Sequence, residues 1–530
     1  MKSAMISEIL RNPELYGPKV KAVNILQTHI SFIVLTGKYA YKVKKPVNFG
    51  FLDFSTLEKR KYFCEEELRL NKRLCPDIYL EVLPITQKNK IYELRGKGKI
   101  IEYILKMKEF PQENIMTNLL RRGKITEGII DKICNILVDF YNAGKHSKEI
   151  DGYGDWASIK KNIDENFEQT QSVVDVTIPK GSYNFIKETT DNFFKKNKDL
   201  FNRRIVEGFI HDCHGDLHSG NIVITDNIYI FDCIEFNKRF RYCDVGSDIG
   251  FLAMDLDYQN YSHLSSYLIQ KYIEKSGDVG ILDVLNFYKS YRAYVRGKVI
   301  GFQLEDPNIE KTQQRHIIDI ARKYYDLSYY YAQLCLLSFK KKRPLLLVVC
   351  GLTGTGKSTI ALKLAIDYHA TQINTDIVRK ELAGINKYER HHDTINTGLY
   401  SPKKVDTTYT KVFEKVAELL KEGKNIVVDA TFQKMKYRKN IVTLAKQYNA
   451  MLYLIECICP DDIVKQRLDE RVKKKSISDG RWEIYLNQKT TYEPFSLDER
   501  VIEFDTSKSF YEQRMTLYQN LISRILEDIK

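Results

Sequence analysis

No stretch of this 530-residue chain approaches the roughly 18 consecutive apolar residues that a bilayer-spanning helix needs. The longest informative apolar run, Leu345–Cys350, has only the length of a strand. Residues Met1–Leu10 lack the basic start and long apolar core of a secretion signal, so the expected location is cytoplasmic. The ten cysteines are scattered and none forms a Cys-x-x-Cys pair, which argues against a metal site. Cys457-x-Cys459 ends an apolar strand and reads with the others as buried, reduced thiols. No segment repeats at a solenoid period, and none is of low complexity.

What is present is ordinary globular material, 43% hydrophobic and 29% charged. Single cores seldom grow past roughly 300 residues, so 530 residues imply two or more domains. The net charge of +14 is spread along the chain, densest at Lys340–Arg343 and Lys473–Lys475. These clusters read as solvated faces and a linker, with phosphate-rich substrates, nucleic acid included, as the alternative. The cleanest boundary is a Tyr- and Leu-rich helical stretch, a basic run and Pro344. It divides the chain into residues 1–338, a linker at 339–344, and residues 345–530.

The first part opens with a hairpin, Ile30–Leu35 and Tyr39–Val43, followed by a helix over Leu57–Leu74 and strands at Ile91–Leu94 and Ile100–Leu105. From about 112 to 340 it reads as mainly helical, interrupted near 222–231. The second part alternates. Strands at Leu345–Cys350, Thr371–Asn374, Asn425–Asp429, Met451–Cys457 and Val501–Phe504 are separated by helices at Lys357–Tyr368, Val405–Glu422, Lys434–Tyr448 and Asp461–Lys474. That alternation implies a parallel sheet covered on both faces.

Two phosphate-handling signatures stand on these elements. The first is His214-Gly215-Asp216-Leu217-His218-Ser219-Gly220-Asn221, with Asp232 downstream. Ile222–Thr225 and Ile228–Phe231 read as a hairpin closed by a two-residue Asp226-Asn227 turn, which places Asn221 directly opposite Asp232. An amide oxygen and a carboxylate held that close suit Mg²⁺. Asp216 precedes Asn221 by five residues, the kinase catalytic-loop spacing in which the Asp accepts the attacking hydroxyl's proton. Tyr39-Ala40-Tyr41-Lys42 matches the pattern that offers a lysine to the triphosphate, with Lys44 on the same face as the fallback. Of Glu65, Glu66 and Glu67, the last is the expected partner of Lys42, because Leu68, Leu70 and Leu74 mark the buried side near it.

These residues resemble the aminoglycoside phosphotransferase and choline kinase family, an α+β protein-kinase-like fold that phosphorylates small-molecule hydroxyls. Asp244-x-x-x-Asp248 continues the match. The resemblance implies that Asp216 is the base, that Asn221 and Asp232 hold metal, and that His214 and Asp248 brace the loop. His218 belongs to the signature. The chain departs from the family's nucleotide flap, since Thr28-His29-Ile30-Ser31 stands where a glycine-rich loop is expected.

The second signature, Gly351-Leu352-Thr353-Gly354-Thr355-Gly356-Lys357-Ser358, lies between a buried-type strand and a helix, as a phosphate-cradling loop requires. Its backbone amides wrap the β-phosphate, Lys357 reaches the β- and γ-phosphates, and Ser358, backed by Thr359, binds Mg²⁺. Asp376 ends the second strand facing the crevice and is placed to take a hydroxyl proton, with Arg379 gripping an anionic acceptor. Asp429 ends the third strand and is a candidate for the metal's water shell or for the acceptor. Arg467 and Arg471, four apart on one helix, are expected to neutralise the transferring phosphoryl group, the alternative being salt bridges to Asp469, Glu470 or a neighbouring helix.

This half is similar to the small P-loop kinases, an α/β fold with a parallel sheet that includes gluconate and shikimate kinases, the zeta toxins and 5′-polynucleotide kinases. The last share the Asp376-x-x-Arg379 spacing. The tandem order resembles a bacterial family that fuses an aminoglycoside-phosphotransferase-like domain to a P-loop kinase. The expectation is two ATP- and Mg²⁺-dependent phosphotransferase sites acting on hydroxyl groups of small molecules. A competing reading makes the second half a nucleic-acid end kinase, although no aromatic-and-basic stacking platform is present. Another is a non-catalytic ATP-binding regulator, against which the intact Asp216, Asn221, Asp232 and Lys357 argue.

Overall fold

The structure is a computed structural model. It describes residues 3–144, 147–305, 309–340, 343–386, 389, 397–472, 478–496, 499, 501–508 and 510–529. Lys341, Lys342 and the Lys473–Lys475 cluster lie outside the described residues, as does the end of the helix expected to reach Lys474. The chain forms two compact units. Residues 1–171, 197–259 and 271–278 form the first, and residues 172–196, 260–270 and 279–530 the second.

The first unit is built on an antiparallel sheet of β1 (Asn24–Gln27), β2 (Ser31–Leu35), β3 (Tyr39–Lys44), β4 (Tyr79–Lys88), β5 (Ile91–Leu94) and β6 (Lys99–Lys108). Their order in the sheet is β1-β2-β3-β6-β4-β5. Alternation along β3 decides what each face does. Tyr41 and Val43 enter a core with Ile6, Leu10, Phe32 and Ile104, while Ala40, Lys42 and Lys44 take the opposite face. The Leu57–Asn71 helix starts where the Thr56 hydroxyl accepts from the Lys59 amide. Two strands of this sheet were not legible in the sequence: β1, and β4, whose Pro84 interrupts an otherwise strand-like pattern.

Four short strands support the loop that carries Asp216. Ile210–Asp212 (β7) pairs antiparallel with Tyr242–Asp244 (β10), and Ile222–Ile224 (β8) with Ile228–Ile230 (β9). The β8–β9 register corrects the expected one. Ile222 faces Ile230 and Ile224 faces Ile228, so the connection is Thr225–Asn227, three residues rather than two. The Thr225 amide donates to the Asn227 carbonyl at 2.9 Å and closes it. Asn221 therefore stands opposite Phe231, whose amide donates to its carbonyl at 2.9 Å, and Asp232 comes one position later. There the backbone turns into the left-handed region, with φ 62° at Asp232.

The second unit contains a five-stranded parallel sheet. Its strands are β11 (Leu345–Cys350), β12 (Thr371–Asn374), β13 (Ile426–Asp429), β14 (Met451–Ile458) and β15 (Ile502–Asp505), in the order β12-β13-β11-β14-β15. Every residue of β11 is buried, as a central parallel strand covered on both faces must be. Helices Lys357–Asp367, Pro402–Lys421, Met435–Gln447 and Asp461–Val472 connect the strands. The chain order reverses beside β11, which opens a crevice at its C-terminal end. Helices Lys180–Lys196, Ile281–Gly301 and Lys311–Lys340 also belong to this unit. The expectation of a kinase-like sheet-plus-helices fold followed by a parallel P-loop fold holds. Among the described residues no helix is long and apolar enough to cross a membrane.

Candidate functional site

In the first unit the Asp216 loop is clamped through its backbone. Both Asp248 carboxylate oxygens accept from it, one from the His214 amide at 2.7 Å and the other from the Gly215 amide at 2.9 Å. The His214 ring nitrogen Nε2 lies 2.9 Å from the Phe231 carbonyl, tying the loop to the strand that leads into Asp232. Burial holds the His214 imidazole below its usual pKa despite the nearby Asp248 and Asp216. Gly215 adopts φ 84°, and a Cβ there would stand 2.8 Å from the Phe240 carbonyl oxygen, so the loop and the segment after β9 touch only because this residue is glycine. The Asn221 amide donates to the Asp216 carbonyl at 2.9 Å and to its Oδ2 at 3.0 Å. His218 Nε2 lies 3.5 Å from the same carboxylate, which remains a third exposed.

Lys42 faces this loop across a cleft of about 190 Å³ lined by Lys42, Asp232, Gly220 and Tyr79, with an apolar wall that includes Ile33, Ala40, Met107 and Phe231. Its ammonium donates to Glu67 Oε1 at 2.7 Å and to Asp232 Oδ1 at 2.6 Å. Glu67, fully buried, is the helix carboxylate that meets it. Glu66 instead pairs with Arg69, and Glu65 lies 3.7 Å from Lys61 on the outside of the helix. Burial pushes the Glu67 carboxyl up, but Lys42 and Lys44 more than offset it, and it settles at about 2. At the flap position, Thr28–Ser31 forms a closed turn. The Thr28 hydroxyl accepts from the Ser31 amide at 3.0 Å, and no glycine is involved.

In the second unit the loop from Gly351 to Ser358 encloses a cavity of about 210 Å³. Thr353, Gly354, Gly356, Lys357, Ser358 and Thr359 line it from the loop side, and Asp376, Arg379, Asp429 and Arg471 from the other elements. Leu352 acts through its backbone: its carbonyl accepts from Lys357 Nζ at 2.7 Å and from the Thr355 hydroxyl at 2.8 Å. Gly351, Gly354 and Gly356 all take positive φ. A Cβ at Gly351 would lie 2.5 Å from the Cys457 carbonyl oxygen. Burial lowers the Lys357 pKa, although Asp429 and Asp376 pull it upward.

Asp429 is held by the Asn374 amide at 2.5 Å and also bonds Ser358; burial pushes its carboxyl up. Asp376 opens the Thr375–Leu382 helix and pairs with Arg379 one turn on, whose guanidinium stands 4.7 Å from the centre of the Tyr400 ring. Burial raises the Asp376 carboxyl, but Arg379 more than offsets this and leaves it below its ordinary value.

Arg467 and Arg471 separate. Arg471 lines the cavity, whereas Arg467 donates to the Thr506 hydroxyl at 2.8 Å and to its carbonyl at 2.6 Å. Thr506 in turn donates to the Thr355 carbonyl at 2.6 Å, so Arg467 reaches the glycine loop through Thr506 rather than facing the cavity. Thr506 and Gln488, whose side-chain oxygen accepts from the Thr353 amide at 2.8 Å, escaped the sequence reading because each comes from an element without a motif.

Among the described residues no three His, Cys, Asp or Glu gather as a metal site. Asn221 with Asp232, and Ser358 with Asp429, nevertheless offer the few hard oxygen donors that Mg²⁺ takes when triphosphate and water complete its shell. The donor sets thus fit the cation.

Residues 346–495 match the family described as AAA domain. A relative from Mycobacterium tuberculosis (strain ATCC 25618 / H37Rv), described as an uncharacterized protein, is 29% identical over 452 residues, covering 85% of this chain and 86% of that protein. Among solved structures, the chain is similar to a choline/ethanolamine kinase family protein from Mesorhizobium loti, with 11% identity, a TM-score of 0.38, and coverage of 69% of this chain and 100% of that one. It is also similar to a gluconokinase from Sinorhizobium meliloti 1021, with 18% identity, a TM-score of 0.26, and coverage of 36% and 97%.

Proposed function

We propose that the protein is a two-site, ATP-dependent phosphotransferase that phosphorylates hydroxyl groups of small molecules, one site per unit. The observation that carries this reading is the second cavity, where a positive-φ glycine loop, Lys357, Ser358 and two carboxylates converge on one small space: Asp429 at the end of β13, and Asp376, which stands in the first turn of the following helix and not at the end of β12 as the sequence suggested. In the first site Lys42 holds the triphosphate and Asp216 accepts the acceptor's proton as the new O–P bond forms. Asn221 and Asp232 hold the cation there, and His214 and Asp248 keep the loop in place. In the second site the loop amides and Lys357 bind the phosphates, Asp376 takes the proton, Arg379 orients the acceptor and Arg471 meets the transferring group. Ser358 and Asp429 hold the cation. Magnesium, once bound, supplies charge neutralisation on the β- and γ-phosphates. Positioning and electrostatics then account for most of the rate.

The Asp376–Arg379 pair lining the cavity also favours a second reading, a kinase of 5′-hydroxyl nucleic-acid ends. Labelled ATP offered with metabolite mixtures and with a 5′-hydroxyl oligonucleotide separates the two. Asp216→Asn is expected to abolish one set of labelled products and Lys357→Ala the other. Binding of ATP with no change in any phosphoryl transfer in either variant overturns the proposal. Label on the oligonucleotide, falling steeply with salt, selects the second reading.

A further inference from the structure

The lysine two residues beyond Lys42 is buried, charged and unused by the mechanism above. Lys44 is 1% exposed, yet it donates to Glu67 Oε2 at 2.7 Å and forms a second ion pair with Glu235, itself buried. Glu67 therefore spends one carboxylate oxygen on each lysine. Glu235 lies three residues after Asp232, which meets Lys42. The ion pairs run Asp232–Lys42–Glu67–Lys44–Glu235, and the backbone of 232–235 closes them into a ring. The ring joins β3, the Leu57–Asn71 helix and the segment after β9. A neutral bond reinforces it: Asn71 Oδ1 accepts from the Cys233 amide at 2.9 Å.

Burying so many charges is costly unless each is paired, and methionine- or glutamine-sized neutral groups would fill the Lys44 and Glu235 positions as well. What methionine at position 44 does not supply is a donor on Glu67 Oε2. With that oxygen engaged, Glu67 offers Lys42 a single oxygen. An ammonium has three N–H donors, so two remain for Asp232 and for phosphate. When Asp232 turns to the cation, Lys42 keeps only Glu67, and the Lys44–Glu235 pair is the link that still ties Glu67 to the Asp232 segment.

We propose that Lys44 and Glu235 are positioning residues of the first site, fixing Glu67 and the 232–235 segment so that Lys42 points at the triphosphate. This rests on the reading of that cleft as an ATP site. The test uses the full chain and an acyl phosphate of ATP. A lysine amine lying against the phosphates attacks its carbonyl, an amide forms, and the nucleotide phosphate leaves. Acylation of Lys42 is followed by peptide mass spectrometry, with Lys357 of the other unit as the internal reference.

The Lys44→Met/Glu235→Gln double variant removes both charges together, so its melting temperature is expected within about 3 °C of wild type, while Lys42 acylation slows at least about tenfold. A purely structural role predicts the opposite pattern, in which the neutral pair restores stability and labelling alike; wild-type labelling in the double variant overturns the proposal. Should the double variant fail to fold, Lys44→Arg, which keeps a donor on Glu67, decides: labelling within about threefold of wild type supports the assignment, and a folded variant without labelling overturns it. Wild-type protein whose Lys42 is never labelled, or is labelled without protection by ATP, removes the ATP-site reading itself and the proposal with it.

Discussion

The Tyr330 hydroxyl donates to Asp367 Oδ2 at 2.6 Å, joining the Lys311–Lys340 helix to the last residue of the helix that follows the glycine loop. Lys363 pairs with the same carboxylate at 2.5 Å, and the Asn286 amide donates to the Asp367 carbonyl at 2.8 Å. Lys363, Asp367 and Tyr330 are all buried. The helix that follows the glycine loop is thus anchored on helices that precede the linker read from the sequence. Tyr330→Phe removes a donor from a buried carboxylate and is expected to destabilise the second unit by about 1–3 kcal/mol. The fluorescence of Trp482, with Trp156 replaced by Phe, follows that unit alone in denaturant, because the chain's two tryptophans lie one in each unit. A fragment beginning at Val279 is expected to unfold at higher denaturant than one beginning at Leu345.

Gly351→Ala tests whether the glycine loop is fixed by sterics. The added carbon meets the Cys457 carbonyl at 2.5 Å and a backbone at φ 126°, so the loop must move. Strain of this kind costs about 1–3 kcal/mol, and Mg-ATP affinity at the second site is expected to fall at least about tenfold by calorimetry. ATP binding by a Lys357-independent first site should persist in the same titration.

Arg467 and Arg471 are expected to differ kinetically. Arg471→Ala removes a cavity-lining charge, and kcat at the second site should fall about 10²-fold with little change in the KM for ATP. Arg467→Ala releases Thr506 from the loop and should act mainly by raising that KM. Equal effects of both variants on kcat would refute the division of roles.

Acid stability should report the buried ring. Glu67 is ionised in the fold down to about 2, against 4.5 in its ordinary state. Its depressed carboxyl contributes stability that is present above 4.5 and lost as the pH falls towards about 2. Glu235, pushed up by burial, contributes in the opposite sense, so the comparison needed is wild type against Glu67→Gln. With Trp156 as the reporter, the variant is expected to lose part of the wild-type decline in that window.

In the parallel sheet β11 was legible to the residue, because a buried parallel strand is a continuous apolar run with sharp ends. The choice of Glu67 rested on a leucine face that does turn inward. The β8–β9 register was not legible. Thr225 joins the turn instead of the strand, a one-residue difference that composition does not encode and hydrogen bonding decides. Arg467 and Arg471 share a helix face by spacing, but their partners come from Thr506 and the cavity, which no local pattern specifies.

By itself the sequence determined two local loop geometries: the spacing from His214 to Asn221 and the run from Gly351 to Ser358 each prescribe geometry within a few residues of chain. Only the tertiary structure decided which charges are buried against each other. It brought Glu235 to Lys44 across nearly two hundred residues and set Tyr330 on Asp367, because long-range pairing depends on how elements pack and not on the order in which they are written.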